Sequence, residues 1–215
     1  QRLWRASLLP EGETLRAGKA EAADALPPVD DQTFPALAAN DSGFLLTWED
    51  RRHGHTVIYV SRSREGRDWS APKRLSGNPT GKAQGSLGRG TGAMRPAVTS
   101  FAGRFAATWL DKRDFLSGYD VYAALGEGDG FAKDGKAQDS FGDAIAQWHA
   151  AIAGNPRGDL IIAWDDDRDG SSDSWLTRRT ASGYSDNLTF PETSRPARQT
   201  DPVIALAADG PLHLP

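Results

Sequence analysis

The stretch Trp48-Glu49-Asp50-Arg51-Arg52 has the pattern W-x-D-x-R, which occurs three times in this chain. The other two copies are Trp109-Leu110-Asp111-Lys112-Arg113 and Trp164-Asp165-Asp166-Asp167-Arg168, which follow at intervals of 61 and 55 residues. A recurrence of this period indicates that one supersecondary unit has been copied along the chain, as in solenoids and propellers. The repeat therefore predicts the architecture before any single motif is interpreted.

The residues around each copy follow a strand pattern. An apolar run ends at every Trp, in segments 44–48, 105–109 and 160–164. Short apolar runs bounded by turn residues are typical of strands that are buried on both faces. A further apolar segment precedes each run, an alternating segment follows the motif, and a weaker edge segment ends the unit. Each unit of about 50 residues thus has the size of a four-stranded antiparallel propeller blade.

We predict an all-β chain, a β-propeller with three full blades and two partial terminal ones. The predicted boundaries are a partial blade at 1–30, blades at 31–92, 93–143 and 144–198, and a partial blade at 199–215. Either the two partial blades complete one another in a small closed ring, which removes exposed strand edges, or the chain is a segment of a larger ring. We expect the larger ring, with another chain as one candidate to complete it, because the last strand is cut short.

Composition excludes several classes of function. The 215 residues carry a net charge of −4, with 25 basic and 29 acidic residues interspersed, so no basic patch favours nucleic acid. There is no apolar run of 18 residues, so the sequence predicts no membrane span. The chain has no Cys, which excludes disulfides, thiolate catalysis and Cys-ligated zinc.

The segment Ser63-Arg64-Glu65-Gly66-Arg67-Asp68-Trp69 resembles the Asp-box, S-x-D-x-G-x-T-W, of the sialidase-like (BNR) propeller superfamily. The segment is one residue shorter than this consensus and has Glu65 in place of the Asp. The W-x-D-x-R segments are similar to those of uncharacterised bacterial members of this superfamily, which implies a secreted or periplasmic protein. The resemblance implies the fold but does not indicate the function, because the same propeller supports hydrolases, lectins and scaffolds.

The repeated motif allows two interpretations. Sialidases hold a substrate carboxylate with three arginines from different blades, so the resemblance makes Arg52, Arg113 and Arg168 candidate binding residues. In the structural interpretation, the Asp accepts backbone N–H groups and pairs with the Arg. We favour this second interpretation, because a catalytic group is needed once per site and these residues recur in every unit. The predicted structural residues are Trp48, Asp50, Trp109, Asp111, Trp164 and Asp166.

The turns after the motifs supply further candidates. His53 and His55 share one turn, and Phe115 and Tyr119 extend the equivalent turn of the second unit. Exposed aromatic side chains there suit stacking on a sugar face or contact with a protein. The spacing of His53 and His55 would also allow metal ligation, but no third ligand is evident, so exposed loop histidines are the simpler interpretation. We include all four residues among the predicted binding residues.

The third motif also suggests a calcium site. Asp165, Asp167 and Asp169 precede Gly170 in the pattern D-x-D-x-D-G, the opening of a calcium loop, and Asp173 stands where a later ligand is expected. The Glu that closes such loops is absent, since Leu176 occupies its place. A solvated acidic turn is the simpler interpretation, and calcium is the alternative.

We predict a non-catalytic binding module or scaffold that presents its inter-blade loops to a glycan or a protein partner. One alternative is a glycoside hydrolase of the exo-sialidase type, which would need a Tyr–Glu nucleophile pair and an Asp acid/base. No such pair can be assigned from the spacing of the Tyr and Glu residues. The other alternative is a structural subunit of a larger assembly.

Overall fold

The computed structural model describes residues 1–24, 31–52, 54–77, 92–113, 118–143, 145–189 and 198–209. Regular structure in these ranges is β-sheet apart from one 3₁₀ turn at Ser140–Gly142. The prediction of an all-β chain is therefore confirmed. Within the same ranges, no helix is long and apolar enough to cross a membrane.

The described ranges contain 18 strands, which carry nearly all of the regular structure. The strands are β1 (Trp4–Arg5), β2 (Leu8–Glu11), β3 (Thr14–Ala17), β4 (Glu21–Ala22), β5 (Gln32–Asn40), β6 (Gly43–Asp50), β7 (Val57–Ser63), β8 (Lys73–Arg74), β9 (Ala93–Phe101), β10 (Arg104–Asp111), β11 (Asp120–Glu127), β12 (Gly130–Phe131), β13 (Gly135–Lys136), β14 (Gln147–Gly154), β15 (Leu160–Asp166), β16 (Asp173–Thr180), β17 (Gly183–Tyr184) and β18 (Leu188–Thr189).

Three main antiparallel sheets follow one another along the chain. The first has the order β5-β6-β7-β8, the second begins β9-β10-β11, and the third begins β14-β15-β16. In the second sheet both β12 and β13 pair with β11, and in the third both β17 and β18 pair with β16. The fourth position is therefore interrupted in these two sheets. Two small sheets, β1-β4 and β2-β3, precede the first main sheet.

Each motif lies at the end of the second strand of its sheet. The strands β6, β10 and β15 are buried on both faces of their sheets, which explains why their sequences are almost continuously apolar. Trp48, Trp109 and Trp164 are 0% exposed. The three strands end at the motif Asp, so the W-x-D part belongs to the strand and only the Arg enters the turn.

The core continues from sheet to sheet. One apolar cluster joins residues of the second and third sheets, such as Leu110 and Ile162, and another joins Leu45 and Val60 of the first sheet to Phe105 of the second. The first strands lie side by side, because β9 packs against both β5 and β14. The beginnings of these three strands are thereby brought to one edge of the molecule.

Candidate functional site

The Trp, Asp and Arg of the motif form the same hydrogen-bonded arrangement in all three sheets, here named the Trp–Asp–Arg unit. The indole N–H of Trp48 donates to the Asp50 carboxylate at 3.0 Å. Arg52 donates to the same carboxylate through its backbone N–H at 3.0 Å and its guanidinium at 2.6 Å. The corresponding distances are 2.9, 2.9 and 2.5 Å in the second unit and 3.1, 2.9 and 2.6 Å in the third.

Each Arg of these units also contacts a second carboxylate and an aromatic ring. The Arg52 guanidinium lies 2.6 Å from an Asp24 oxygen and 4.2 Å from the centroid of the Tyr59 ring, which stands opposite Trp48 in the strand register. The equivalent partners are Asp134 and Tyr122 for Arg113, and Asp139 and Trp175 for Arg168. The guanidinium is thus held from two sides by the chain itself.

This geometry gives the motif arginines a structural role. The Arg113 and Arg168 side chains are 11% and 6% exposed, and their donors face carboxylates of the same chain. The alternative in which Arg52, Arg113 and Arg168 bind a ligand carboxylate has no geometric support. Each guanidinium is already paired with two carboxylates of the chain, which favours the structural interpretation.

The four predicted calcium ligands do not converge. Asp165 lies against His149, with 3.0 Å between its Oδ1 and the imidazole Nδ1, whereas Asp173 accepts a hydrogen bond from Ser171 at 2.7 Å. Asp167 and Asp169 are exposed. No group of three or more His, Cys, Asp or Glu side chains among the described residues is placed to hold a metal ion. The acidic turn therefore offers no assembled calcium site.

The structure describes two of the four predicted turn residues, and these two do not lie together. His53 and Phe115 lie outside the described residues. His55 lines a small crevice with Arg113 at the junction of the first and second sheets. Tyr119 lies elsewhere, at the edge where the first strands begin, and its ring centroid is 5.3 Å from that of Trp148. Of these four residues, Tyr119 leads to the candidate site.

Four non-glycine residues at equivalent positions of the repeat have left-handed backbone conformation. They are Phe34, Arg95, His149 and Asp201, with φ of 48°, 52°, 48° and 58°. The first three are the third residues of β5, β9 and β14, and Asp201 precedes the segment that repeats the start of a first strand. A left-handed L-residue costs about 1–2 kcal/mol, and such strain clusters at functional sites. We name these four the rim residues.

The second residue of the motif fixes the backbone of a rim residue in the next repeat. The Glu49 carboxylate accepts the backbone N–H of Arg95 at 2.7 Å, and the Asp165 carboxylate accepts that of Asp201 at 3.4 Å. In the second sheet, Leu110 stands at this position and is buried in the apolar core. The Trp, Asp and Arg of the motif are thus constant, whereas its second residue, which faces the rim, varies from sheet to sheet.

On one side of the rim, an aromatic ring and a cation lie above a buried acid. The Arg95 guanidinium is 4.6 Å from the centroid of Phe34, which is 48% exposed. Glu49 lies beneath and also accepts a hydrogen bond from the Thr33 hydroxyl at 3.3 Å. Burial raises the pKa of Glu49, and the hydrogen bonds from Arg95 and Thr33 oppose this shift.

On the other side, a histidine lies between two acids. The His149 Nε2 is 3.3 Å from an Asp201 oxygen, while its Nδ1 contacts Asp165. The neighbouring Trp148 is 37% exposed and packs against Tyr119. Burial raises the pKa of Tyr119, and the negative charge of Glu49 adds to this shift, so the two sides of the rim interact electrostatically.

We define the rim site as the four rim residues together with Glu49, Asp165, Trp148 and Tyr119. It combines exposed aromatic rings with closely spaced donors and acceptors, a combination that suits a ligand with both apolar faces and hydroxyl groups. Sequence reasoning identified Tyr119 but missed the rim residues. The available signal was the position before Pro35, Pro96, Ala150 and Pro202, where four unlike side chains stand at equivalent places.

No protein-family model matches the chain, and no curated protein matches it in sequence. Solved structures do match. A protein of unknown function from Dyadobacter fermentans has a TM-score of 0.57 at 16% identity, covering 89% of this chain and 59% of its own. The GH93 α-L-arabinofuranosidase of Fusarium graminearum in complex with arabinobiose has a TM-score of 0.54 at 12% identity, with coverages of 77% and 50%.

The α-L-arabinanase of Penicillium chrysogenum, also complexed with arabinobiose, has a TM-score of 0.52 at 16% identity and the same coverages. The chain thus spans 59% or half of the length of these structures. At such identities the likeness shows the fold alone. The chain has a propeller-type fold like that of glycoside hydrolases, whereas a sialidase is not specifically supported.

Proposed function

We propose that this chain belongs to a carbohydrate-binding propeller and that the rim site is its glycan site. The observation that carries this proposal is the contrast between the two sets of repeated positions. The Trp–Asp–Arg unit keeps its side chains in all three sheets, as a structural element must. The rim residues keep only their strained backbone and carry a phenyl, a guanidinium, an imidazole and a carboxylate.

The chemistry of the rim site supports a sugar as the ligand. Sugar rings have apolar C–H faces that stack on aromatic rings, for which Phe34 and Trp148 are exposed. Their hydroxyl groups both donate and accept hydrogen bonds, which matches the alternation of Arg95, His149 and Asp201. The two arabinobiose complexes among the similar structures support neutral arabino-oligosaccharides as the first ligands to test.

The test is a calorimetric titration of the full chain with arabinobiose and arabinotriose. We expect Trp148→Ala to weaken binding at least about tenfold, because truncation of an anchoring tryptophan typically costs about 2 kcal/mol or more. Trp4→Ala is the matched control, since Trp4 is a 61% exposed tryptophan outside the three main sheets. Unchanged affinity in Trp148→Ala, or no binding by the parent chain, would count against the rim site.

A glycoside hydrolase is the second candidate, and one residue favours it. A buried carboxyl with a raised pKa has the property of a general acid, and Glu49 fits this description. However, Glu49 also fixes the backbone of Arg95, which supports a binding role for the site. Incubation with arabino-oligosaccharides and a chromogenic sialoside separates the candidates. Turnover that is lost in Glu49→Gln supports the hydrolase, and binding without turnover supports the module.

A further inference from the structure

Arg62, in the third strand of the first sheet, fills the space between the first and second sheets. Its guanidinium donates to the carbonyl oxygens of Gly128 at 3.2 Å and Gly130 at 2.9 Å. It also lies 5.6 Å from the centroid of Phe105 and 5.1 Å from that of Phe131. This junction is therefore closed by one arginine that crosses from sheet to sheet.

The junction of the second and third sheets lacks this arginine. Leu125 occupies the place of Arg62 in the strand register. The Gly183 carbonyl, which corresponds to that of Gly130, accepts its hydrogen bond from Arg179 of its own sheet. Because Leu125 cannot form the bridge, an open groove of about 600 Å³ remains between the two sheets.

The groove is basic in a chain that is acidic overall. Arg104, Arg178 and Arg179 line it, and its lining includes no carboxylate among the described residues. Arg178 is half exposed and pairs with Asp159 at 2.8 Å, beside the groove. The Arg104 guanidinium lies 5.4 Å from the centroid of Phe101. Three guanidinium groups with one neighbouring carboxylate leave an excess of positive charge, although the chain carries a net charge of −4.

The groove and the rim site lie at opposite ends of the first strands. Arg95 is near the start of β9, and Phe101, which lines the groove, is its last residue. Six strand residues span about 20 Å. A ligand in the groove would therefore contact none of the rim residues.

We propose that this groove binds an acidic oligosaccharide through carboxylate or sulfate groups that pair with Arg104, Arg178 and Arg179. Guanidinium groups match the planar geometry of such oxygens with two parallel hydrogen bonds. An open groove accommodates an oligosaccharide chain better than a single small ion. The small residues Gly158, Thr180 and Ala181 in its lining leave room for such a chain. The choice of a saccharide as the ligand rests on the carbohydrate-binding function proposed above, whereas the groove itself shares no residue with the rim site.

The test is a titration of the full chain with trigalacturonate and with a sulfated oligosaccharide of similar length, at low and high salt. Leu125→Arg introduces the residue that closes the first junction, and we expect it to fill the groove and to weaken binding at least about tenfold. Arg104→Gln should weaken binding to a similar extent, because it removes a charge-assisted hydrogen bond to the ligand. Circular dichroism verifies that both variants are folded.

Arg16→Gln is the control, since Arg16 is an exposed arginine of β3, in one of the small sheets that precede the main ones. Binding of trigalacturonate alone assigns carboxylates to the site, and binding of the sulfated ligand alone assigns sulfates. The proposal is overturned if neither binds, if both groove variants bind as the parent does, or if inorganic sulfate binds as tightly as the oligosaccharide. Arabinobiose binding should be the same in Leu125→Arg and the parent.

Discussion

At the scale of single residues, Asp50 shows how a buried charge is stabilised by its neighbours. The residue is 0% exposed, and burial disfavours its ionised form. Hydrogen bonds from Arg52, Trp48 and Gln32 outweigh this effect and keep the pKa of Asp50 below its usual value. The carboxylate therefore serves as the common acceptor that joins three segments of the first sheet.

Asp50→Asn should destabilise the chain by about 3–5 kcal/mol, because it removes one partner of a buried ion pair. Urea denaturation measures this change. Asp68→Asn is the control, since Asp68 is exposed and its loss should change stability by less than about 0.5 kcal/mol. A loss below about 1 kcal/mol in Asp50→Asn would contradict the structural role of the unit.

The pKa of Asp50 also predicts how stability depends on pH. Its folded pKa is lower than the unfolded value of about 3.9, so its contribution is complete above that value and is lost as pH falls through the folded pKa. Glu49 has the opposite sign, because its raised pKa lowers stability as pH rises from about 4.3 to its folded value. Glu49→Gln should abolish this second dependence in denaturation curves measured across that range. A curve that keeps the parent's slope would contradict it.

The strained backbone of the rim predicts an unusual order of stability. Arg95→Gly and Arg95→Ala both remove the exposed side chain, but only glycine adopts φ of 52° without strain. We expect the glycine variant to be more stable than the alanine variant by about 1 kcal/mol in thermal or urea unfolding. At Lys73, an exposed residue of β8 without a positive φ, the order should be reversed. The same order at both positions would show that the rim is not strained.

At the scale of the element, the sequence predicted what repeats and missed what does not. The continuous apolar runs correctly indicated β6, β10 and β15, because a strand whose two faces are both covered carries apolar side chains at successive positions. The fourth strand was expected as one weak edge segment, yet two short strands pair with β11. Pairings of two residues have no periodicity that a sequence could reveal.

The rim residues were missed for a related reason. Their common feature is a backbone conformation, and left-handed φ has a strong sequence signature only when glycine adopts it, whereas the enrichment of Asn, Asp and His is weaker. Because the side chains at these four positions differ, the sequence gives no sign that the positions are equivalent. The backbone nevertheless has the same left-handed conformation at each of them. The constant residues of the motif were interpretable as structural before the structure was known, because they recur in every unit.

The ring opposite each motif Trp contributes to the stability of its sheet. The Arg113 guanidinium lies 3.9 Å from the centroid of Tyr122, and burial raises the pKa of this tyrosine to about 12. Tyr122→Leu removes the cation–π contact and should destabilise the chain by about 1–2 kcal/mol. Tyr122→Phe keeps the ring and should retain most of the stability. Equal losses in the two variants would exclude the contact as the cause.

At the scale of the whole molecule, the main sheets carry two candidate sites at opposite ends of their first strands. Sheets that share a continuous core are rigid, and neither site includes a residue of the other. We therefore expect saturating trigalacturonate to leave the affinity for arabinobiose unchanged. Competition calorimetry measures this directly, and a coupling of tenfold or more would require a common conformational change.

The number of blades, the closure of the ring and a completing chain stay predictions. They depend on how the first and last segments pair, and neighbouring strands along the sequence cannot indicate this. The propeller-type fold itself was predictable, since it follows from a unit that cannot bury its apolar faces without a copy of itself on each side. The repeat predicts how one blade packs against the next, but it does not predict how many blades the ring contains.

The left-handed rim also has a consequence for how such a protein can diversify. Motif carboxylates hold the backbones of Arg95 and Asp201, while the rim side chains contact one another in pairs, Phe34 with Arg95 and His149 with Asp201. An exchanged rim side chain therefore affects its direct neighbour but not the other pair. Glycine would adopt the left-handed conformation at each of these positions without strain, but it has no side chain that could contact a ligand. Phe34, Arg95, His149 and Asp201 therefore combine a strained backbone with side chains that can contact a ligand.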